Sequence, residues 1–129
     1  MQKRKVLIVD DSIDVRRLVI ELLSHITDIE VVGEAGTVIQ AIEMFQKTNP
    51  DVVIIDLQLP EGSGFDVLDH IKSRRPSTMV IVLTNYPLPR YRKRCAEIGV
   101  EYFFDKSMEF DKITEVINKP TSSRESGHL

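Results

Sequence analysis

The residues best suited to chemistry fall into four short polar stretches: Asp10-Asp11, Asp56, Thr84 and Asp105-Lys106. Each follows directly on an apolar run, respectively Val6–Val9, Val52–Ile55, Met79–Leu83 and Tyr102–Phe104. Carboxylates gathered within a few ångströms repel, so such a set either takes up protons or binds a cation. Aspartate oxygens are hard ligands, suited to Mg2+ in an octahedral site that keeps some of its waters. His25, His70 and His128 are scattered away from these stretches, so no zinc site is expected. One carboxylate in an acidic, cation-binding site can attack phosphorus and form an aspartyl phosphate. A lysine ammonium and a threonine hydroxyl then contact the phosphoryl oxygens. Asp56 is the expected nucleophile, because its apolar run belongs at the centre of a sheet, and Lys106 and Thr84 are the expected phosphoryl contacts. An acidic pair alone would only suit the start of a helix; the matching positions of Asp56 and Lys106 argue for a site.

These positions make sense only if the apolar runs are strands. The runs are rich in β-branched residues and lack polar alternation, as strands buried on both faces do, and such strands form parallel sheets. Glu30–Val32 is a weaker strand candidate. Between the runs lie helical patterns. Val15, Leu18, Val19, Leu22, Leu23 and Ile26 recur at three- and four-residue steps, and Val38, Ile39, Ala41, Ile42 and Phe45 precede Asn49-Pro50. Phe65, Val67, Leu68 and Ile71 stop before Pro76, a fourth helix runs from about Pro89 to Ile98 with Gly99 as terminator, and a fifth covers Phe110–Asn118. Five strands alternating with five helices predict an α/β doubly wound parallel sheet with right-handed crossovers. In such sheets ligands bind beyond the carboxyl ends of the strands, where all four polar stretches stand.

The remaining features bound the class. A chain of 129 residues, 42% hydrophobic and 29% charged, fits one domain that buries roughly two-thirds of its unfolded surface. Its net charge of −3 supplies no general attraction to nucleic acid or an anionic membrane. Cys95 has no internal disulfide partner and reads as a packing residue in a reducing compartment. The first apolar run is too short for a signal peptide or a membrane span, so a cytoplasmic protein is expected. Thr121–Leu129 is polar and without apolar period, which divides the chain into a domain over 4–118 and a tail or linker stub over 119–129.

The stretches Val9-Asp10-Asp11-Ser12, Ile55-Asp56-Leu57-Gln58-Leu59-Pro60 with Gly64, Val82-Leu83-Thr84 and Phe104-Asp105-Lys106 together resemble the receiver domain of two-component response regulators. Each piece is weak alone; four in order at the family's spacings are specific. The resemblance implies a flavodoxin-like strand order 2-1-3-4-5 and phosphorylation of Asp56 by the phosphohistidine of a sensor histidine kinase or phosphotransfer protein. It implies Mg2+ bound by the side chains of Asp11 and Asp56 and the carbonyl of Gln58, with Asp10 acting mostly through water. Lys106 would bridge to Asp56 or the phosphoryl group. Thr84 and Phe103 would be switch residues, and partner docking or self-dimerisation would use the face of the fourth helix, fifth strand and fifth helix. Tyr102 should point to the opposite side from Phe103.

Departures from the family pattern carry their own expectations. Ser107 replaces the frequent proline after Lys106, which strongly disfavours the usual cis bond there and is expected to leave the loop looser. Asn85 stands where a small residue is usual and is expected to slow phosphoryl transfer. The resemblance implies that Gln58 and Tyr86 flank the path of the water that would hydrolyse the phosphoryl group, so a bulky Tyr86 is expected to prolong its lifetime. Pro87 and Pro89 delay the start of the fourth helix and lengthen the loop over Asn85–Leu88. Arg90, Arg92, Lys93 and Arg94 on that helix form either a solvated charged face or a contact for an acidic partner or dimer.

Three competing classes fit less well. A metal-dependent phosphatase with an aspartyl nucleophile wants a second acid two residues on, where Ser12 follows Asp10. A nucleotide-binding protein wants a glycine-rich phosphate loop after the first strand, and there is none. A pseudo-receiver that only binds would not need all five site residues. The expected activity is Mg2+-dependent self-phosphorylation and autodephosphorylation rather than conventional turnover. The polar tail suits a stand-alone receiver acting by docking, the preferred reading, and also the receiver part of a longer DNA-binding regulator.

Overall fold

In the computed structural model, which describes residues 2–120, strands and helices alternate along the chain. They are β1 (Arg4–Val9), α1 (Ile13–Leu23), β2 (Ile29–Ala35), α2 (Val38–Thr48), β3 (Val52–Ile55), α3 (Gly64–Arg74), β4 (Met79–Thr84), α4 (Pro89–Ile98) and β5 (Tyr102–Asp105), followed by a 3-10 turn (Phe110–Lys112) leading into α5 (Ile113–Val116). All strand pairings are parallel, in the order β2-β1-β3-β4-β5. The expected doubly wound α/β sheet is therefore the fold. The tail from Thr121, with His128, lies outside the described residues.

Burial on both faces explains the unbroken apolar runs. Every residue of β3 and β4 is buried. Leu7, Val9, Val53, Ile55, Val80 and Val82 face a core shared with α2, α3 and Cys95 of α4. Val6, Ile8, Val52, Ile54, Ile81 and Leu83 face the other core, against Val19 and Leu23 of α1 and Ile113 and Ile117 at the C-terminal end. Alternate residues thus serve opposite layers, as the pleat requires, and β5 follows the rule: Phe103 packs on the first core, Tyr102 and Phe104 on the second.

Several boundaries differ from the sequence expectation, each for a physical reason. β2 is an edge strand and longer than Glu30–Val32, because its half-exposed residues, including Glu30, Gly33 and Glu34, dilute the apolar signal. Leu18 and Ile39 were expected on the apolar helix faces but are each 57% exposed, since they flank the stripe that reaches the sheet. Ile26 lies past the end of α1 and packs on the core from the following turn. The fifth helix is not regular over Phe110–Asn118: its first turn is 3-10 and α5 itself is short. The fourth helix does begin late, with Pro89 at its first turn and no side-chain cap, and ends at Gly99, whose φ of 107° suits glycine.

Candidate functional site

The order β2-β1-β3 reverses the chain's direction of winding between β1 and β3, which opens a crevice at their carboxyl ends. Asp10 and Asp11 follow β1 and Asp56 follows β3, so the crevice is acidic at its base. One carboxylate oxygen from each of the three lies within 4.8 Å of the others. Asp10 and Asp56 are buried and Asp11 is exposed. Lys106, just past β5, reaches across with its ammonium 2.8 Å from Asp10 Oδ2 and 2.7 Å from Asp56 Oδ2. Burial alone would lower the lysine's pKa, but hydrogen bonds and charge attraction from Asp10 and Asp56 outweigh it and hold the pKa above the ordinary 10.5. Lys106 therefore stays cationic at neutral pH.

A single local device fixes the polar residues at four strand ends. Asp10 Oδ1 accepts from the Ser12 backbone N–H (2.9 Å), and Asp56 Oδ1 accepts from that of Gln58 (3.1 Å). Thr84 Oγ1 accepts from Tyr86 N–H (3.1 Å), and Asp105 Oδ1 from Ser107 N–H (2.9 Å). In each case a short polar side chain caps the backbone two residues on, turning the chain sharply as it leaves the sheet. The Ser107 hydroxyl also donates to Asp105 Oδ1 (2.9 Å), so the loop expected to be loose without a proline is instead tied by the N–H a proline lacks. All peptide bonds among the described residues are trans.

Three carboxylates and one ammonium leave two net negative charges in the crevice. Together with the all-oxygen donor set, that charge suits a hard divalent cation. Beside the crevice, Gly64 N–H donates to Leu57 O (2.9 Å), and a Cβ on Gly64 would sit 2.6 Å from Asp56 O. Only glycine lets α3 begin this close to the strand that carries Asp56. Gln58 lies in the same loop with its side chain exposed.

Around the rim the expected residues diverge. Thr84 is fully buried as the last residue of β4. Asn85 and Tyr86 point to solvent, Tyr86 with 54% of its surface exposed. Phe103 is half-buried beneath Arg92, whose guanidinium lies 4.4 Å from the ring centroid and donates to Phe103 O (3.3 Å). Arg90 and Arg94 likewise lie over Tyr91 and Phe65, so these exposed α4 arginines stack on aromatic faces.

Two residues near the site escaped the sequence reading: Arg16 and Glu34. The Arg16 guanidinium donates to Asp10 O (2.6 Å) and pairs with Glu34 (2.9 Å). An arginine this early in a helix opposes the helix dipole, and that was the available hint of a specific partner.

Residues 6–118 match the family model described as the response regulator receiver domain. Over 84 residues, 65% of its length, the chain is 44% identical to a protein-glutamate methylesterase/protein-glutamine glutaminase 1 of Caulobacter vibrioides, covering 24% of that protein. Over 82 residues, 64% of its length, it is 39% identical to the DNA-binding transcriptional activator DevR/DosR of Mycobacterium tuberculosis, covering 38% of it. The chain thus spans well under half of these relatives. Among solved structures, the response regulator domain of Thermotoga maritima CheB superposes with a TM-score of 0.79 at 25% identity, over 90% of this chain and 91% of that one. Since the family match takes in all five strands' carboxyl ends and the crevice between them, the chain belongs to the response regulator receiver domains of two-component signal transduction.

Proposed function

We propose that the domain accepts a phosphoryl group on a carboxylate oxygen of Asp56 and thereby alters a partner-binding face. The observation that carries this reading is the setting of Asp56, which has one oxygen bound by Lys106, the other by Gln58 N–H, and two further acids within cation-sharing distance. A nucleophile so held keeps its orientation without reorganising. The Asp56 oxygen forms a bond to phosphorus as the phosphorus–nitrogen bond of a phosphohistidine breaks. The imidazole leaves with the bonding electrons and takes up a proton from solvent. Bound Mg2+, held by Asp11, Asp56 and the Gln58 carbonyl with Asp10 through water, would supply charge that neutralises the phosphoryl oxygens. Lys106 contributes a permanent positive charge at the same place. Thr84 keeps a hydroxyl proton to donate, since its oxygen serves as acceptor to Tyr86.

In this reading 4–118 is the working unit and its partners are a sensor histidine kinase or phosphotransfer protein and a downstream protein or second copy. The face of α4, β5 and α5 is the output surface, with Thr84 and Phe103 linking it to the crevice. Asn85, Tyr86 and Gln58 set the rates of gain and loss. The domain takes the phosphoryl group from small donors as well and loses it by its own hydrolysis. The net charge of −3 supports a protein partner over nucleic acid, and among the described residues no helix is long and apolar enough to cross a membrane. Because the relatives carry matching segments in much longer chains, a second reading makes this the receiver part of a longer DNA-binding regulator. Incubation with a small phosphodonor and Mg2+ tests the chemistry. The mass of one phosphoryl group should be gained by the native chain and not by Asp56→Asn, and equal labelling of both would refute the assignment.

A further inference from the structure

Asp10 is held at every polar atom. Its N–H donates to Ala35 O (3.0 Å), its Oδ1 accepts from Ser12 N–H (2.9 Å) and its Oδ2 takes the Lys106 ammonium (2.8 Å). The fourth contact is Arg16 Nη1, 2.6 Å from the Asp10 carbonyl oxygen. The same guanidinium is anchored through Nε to Glu34 on β2 at 2.9 Å, and the arginine side chain is only 15% exposed. Room for it comes from Gly36, where a Cβ would stand 3.3 Å from Arg16 Nη1 and 3.7 Å from Asp10 O.

We propose that Arg16, braced by Glu34 and seated over Gly36, is a positioning residue that sets the β1–α1 acidic turn for cation binding. A planar guanidinium can reach the Asp10 carbonyl and a carboxylate at once from fixed directions; a lysine ammonium on a shorter, more flexible stem cannot replace that fork. The brace ties Asp10, and through it the adjoining Asp11, to α1 and β2 as well as to their own loop. It also places a cation beside the acids, and that charge by itself weakens cation binding. Geometry and charge therefore act in opposite directions, which allows them to be separated.

The inference rests on the phosphoacceptor reading, and the experiment keeps the two apart. The 15N-labelled full chain is titrated with magnesium chloride and followed by its amide shifts, beside thermal melting and labelling by a small phosphodonor. Arg16→Lys preserves the charge and breaks the fork. It should lower Mg2+ affinity about tenfold, the usual scale for losing a partner behind a metal ligand, with apo shift changes centred on Asp10, Asp11 and Ser12. Gly36→Ala leaves the arginine in place but crowds it, and should give a smaller loss in the same direction. If Arg16→Lys does not fold, the Gly36→Ala titration decides alone. Wild-type affinity in every folded variant would overturn the brace while leaving the phosphoacceptor reading intact. A native chain that neither binds Mg2+ nor takes up a phosphoryl group would overturn both.

Discussion

Replacing Lys106 by methionine removes the only side-chain cation, among the described residues, that pairs with the Asp10 and Asp56 carboxylates, and keeps most of the side-chain volume. Asp10 and Asp56 are 3% and 5% exposed, and each would lose its ammonium partner while keeping a single backbone N–H. Stripping one partner from a buried ion pair typically costs about 3–5 kcal/mol. The surviving N–H bonds and the nearby opening to solvent at Asp11 place this case near the lower end, about 3 kcal/mol. For a domain of this size that corresponds to a fall of roughly 12 °C in melting temperature. The assay is urea and thermal unfolding at pH 8 in chelator. Added Mg2+ should recover much of the loss, because a divalent cation can neutralise the same carboxylates. In the wild type the Lys106 pKa is raised above 10.5, so the contribution is fully present below that value and is lost as pH rises beyond it. A methionine variant as stable as the wild type in chelator at pH 8 would refute the electrostatic account of the crevice.

Tyr86→Ala should shorten the lifetime of the phosphorylated form, and Asn85→Ala should speed labelling by a small phosphodonor. Lifetimes and labelling rates equal to those of the wild type would show that these exposed side chains do not gate the crevice. Cys95 is 1% exposed and burial pushes its thiol up to about 11, so alkylation at pH 8 should be slow in the folded chain and rapid in denaturant. Rapid labelling without denaturant would mean that α4 opens readily.

The sequence was most informative where burial was most complete. β1, β3 and β4 lie inside the sheet with helices on both faces, so Val6–Val9, Val52–Ile55 and Met79–Leu83 are buried and apolar and read as unbroken runs. Edge strand β2 was faint because only part of it meets the core. Leu18 and Ile39 share the helical period but stand beyond the sheet's reach, and periodicity cannot show how wide a face the neighbouring layer covers.

For the site, residue types and their places after strands were enough to name Asp10, Asp11, Asp56, Thr84 and Lys106 as one chemical set. That follows because parallel strands deliver their carboxyl ends to one edge of the sheet whatever lies between them. Distances were another matter. That Lys106 divides its contacts between Asp10 and Asp56, and that Arg92 and Arg94 lie on the Phe103 and Phe65 rings, depends on contacts between elements. Arg16 shows the divide most clearly. In the sequence it is one more basic residue on a helix; its meaning comes from Glu34 and Gly36, which are near in sequence to neither Asp10 nor Lys106 and reach the site only because β2 pairs beside β1. Burial pattern is written in short-range chemistry, but strand order and which polar atom satisfies which are decided by packing, where one ångström separates a hydrogen bond from none.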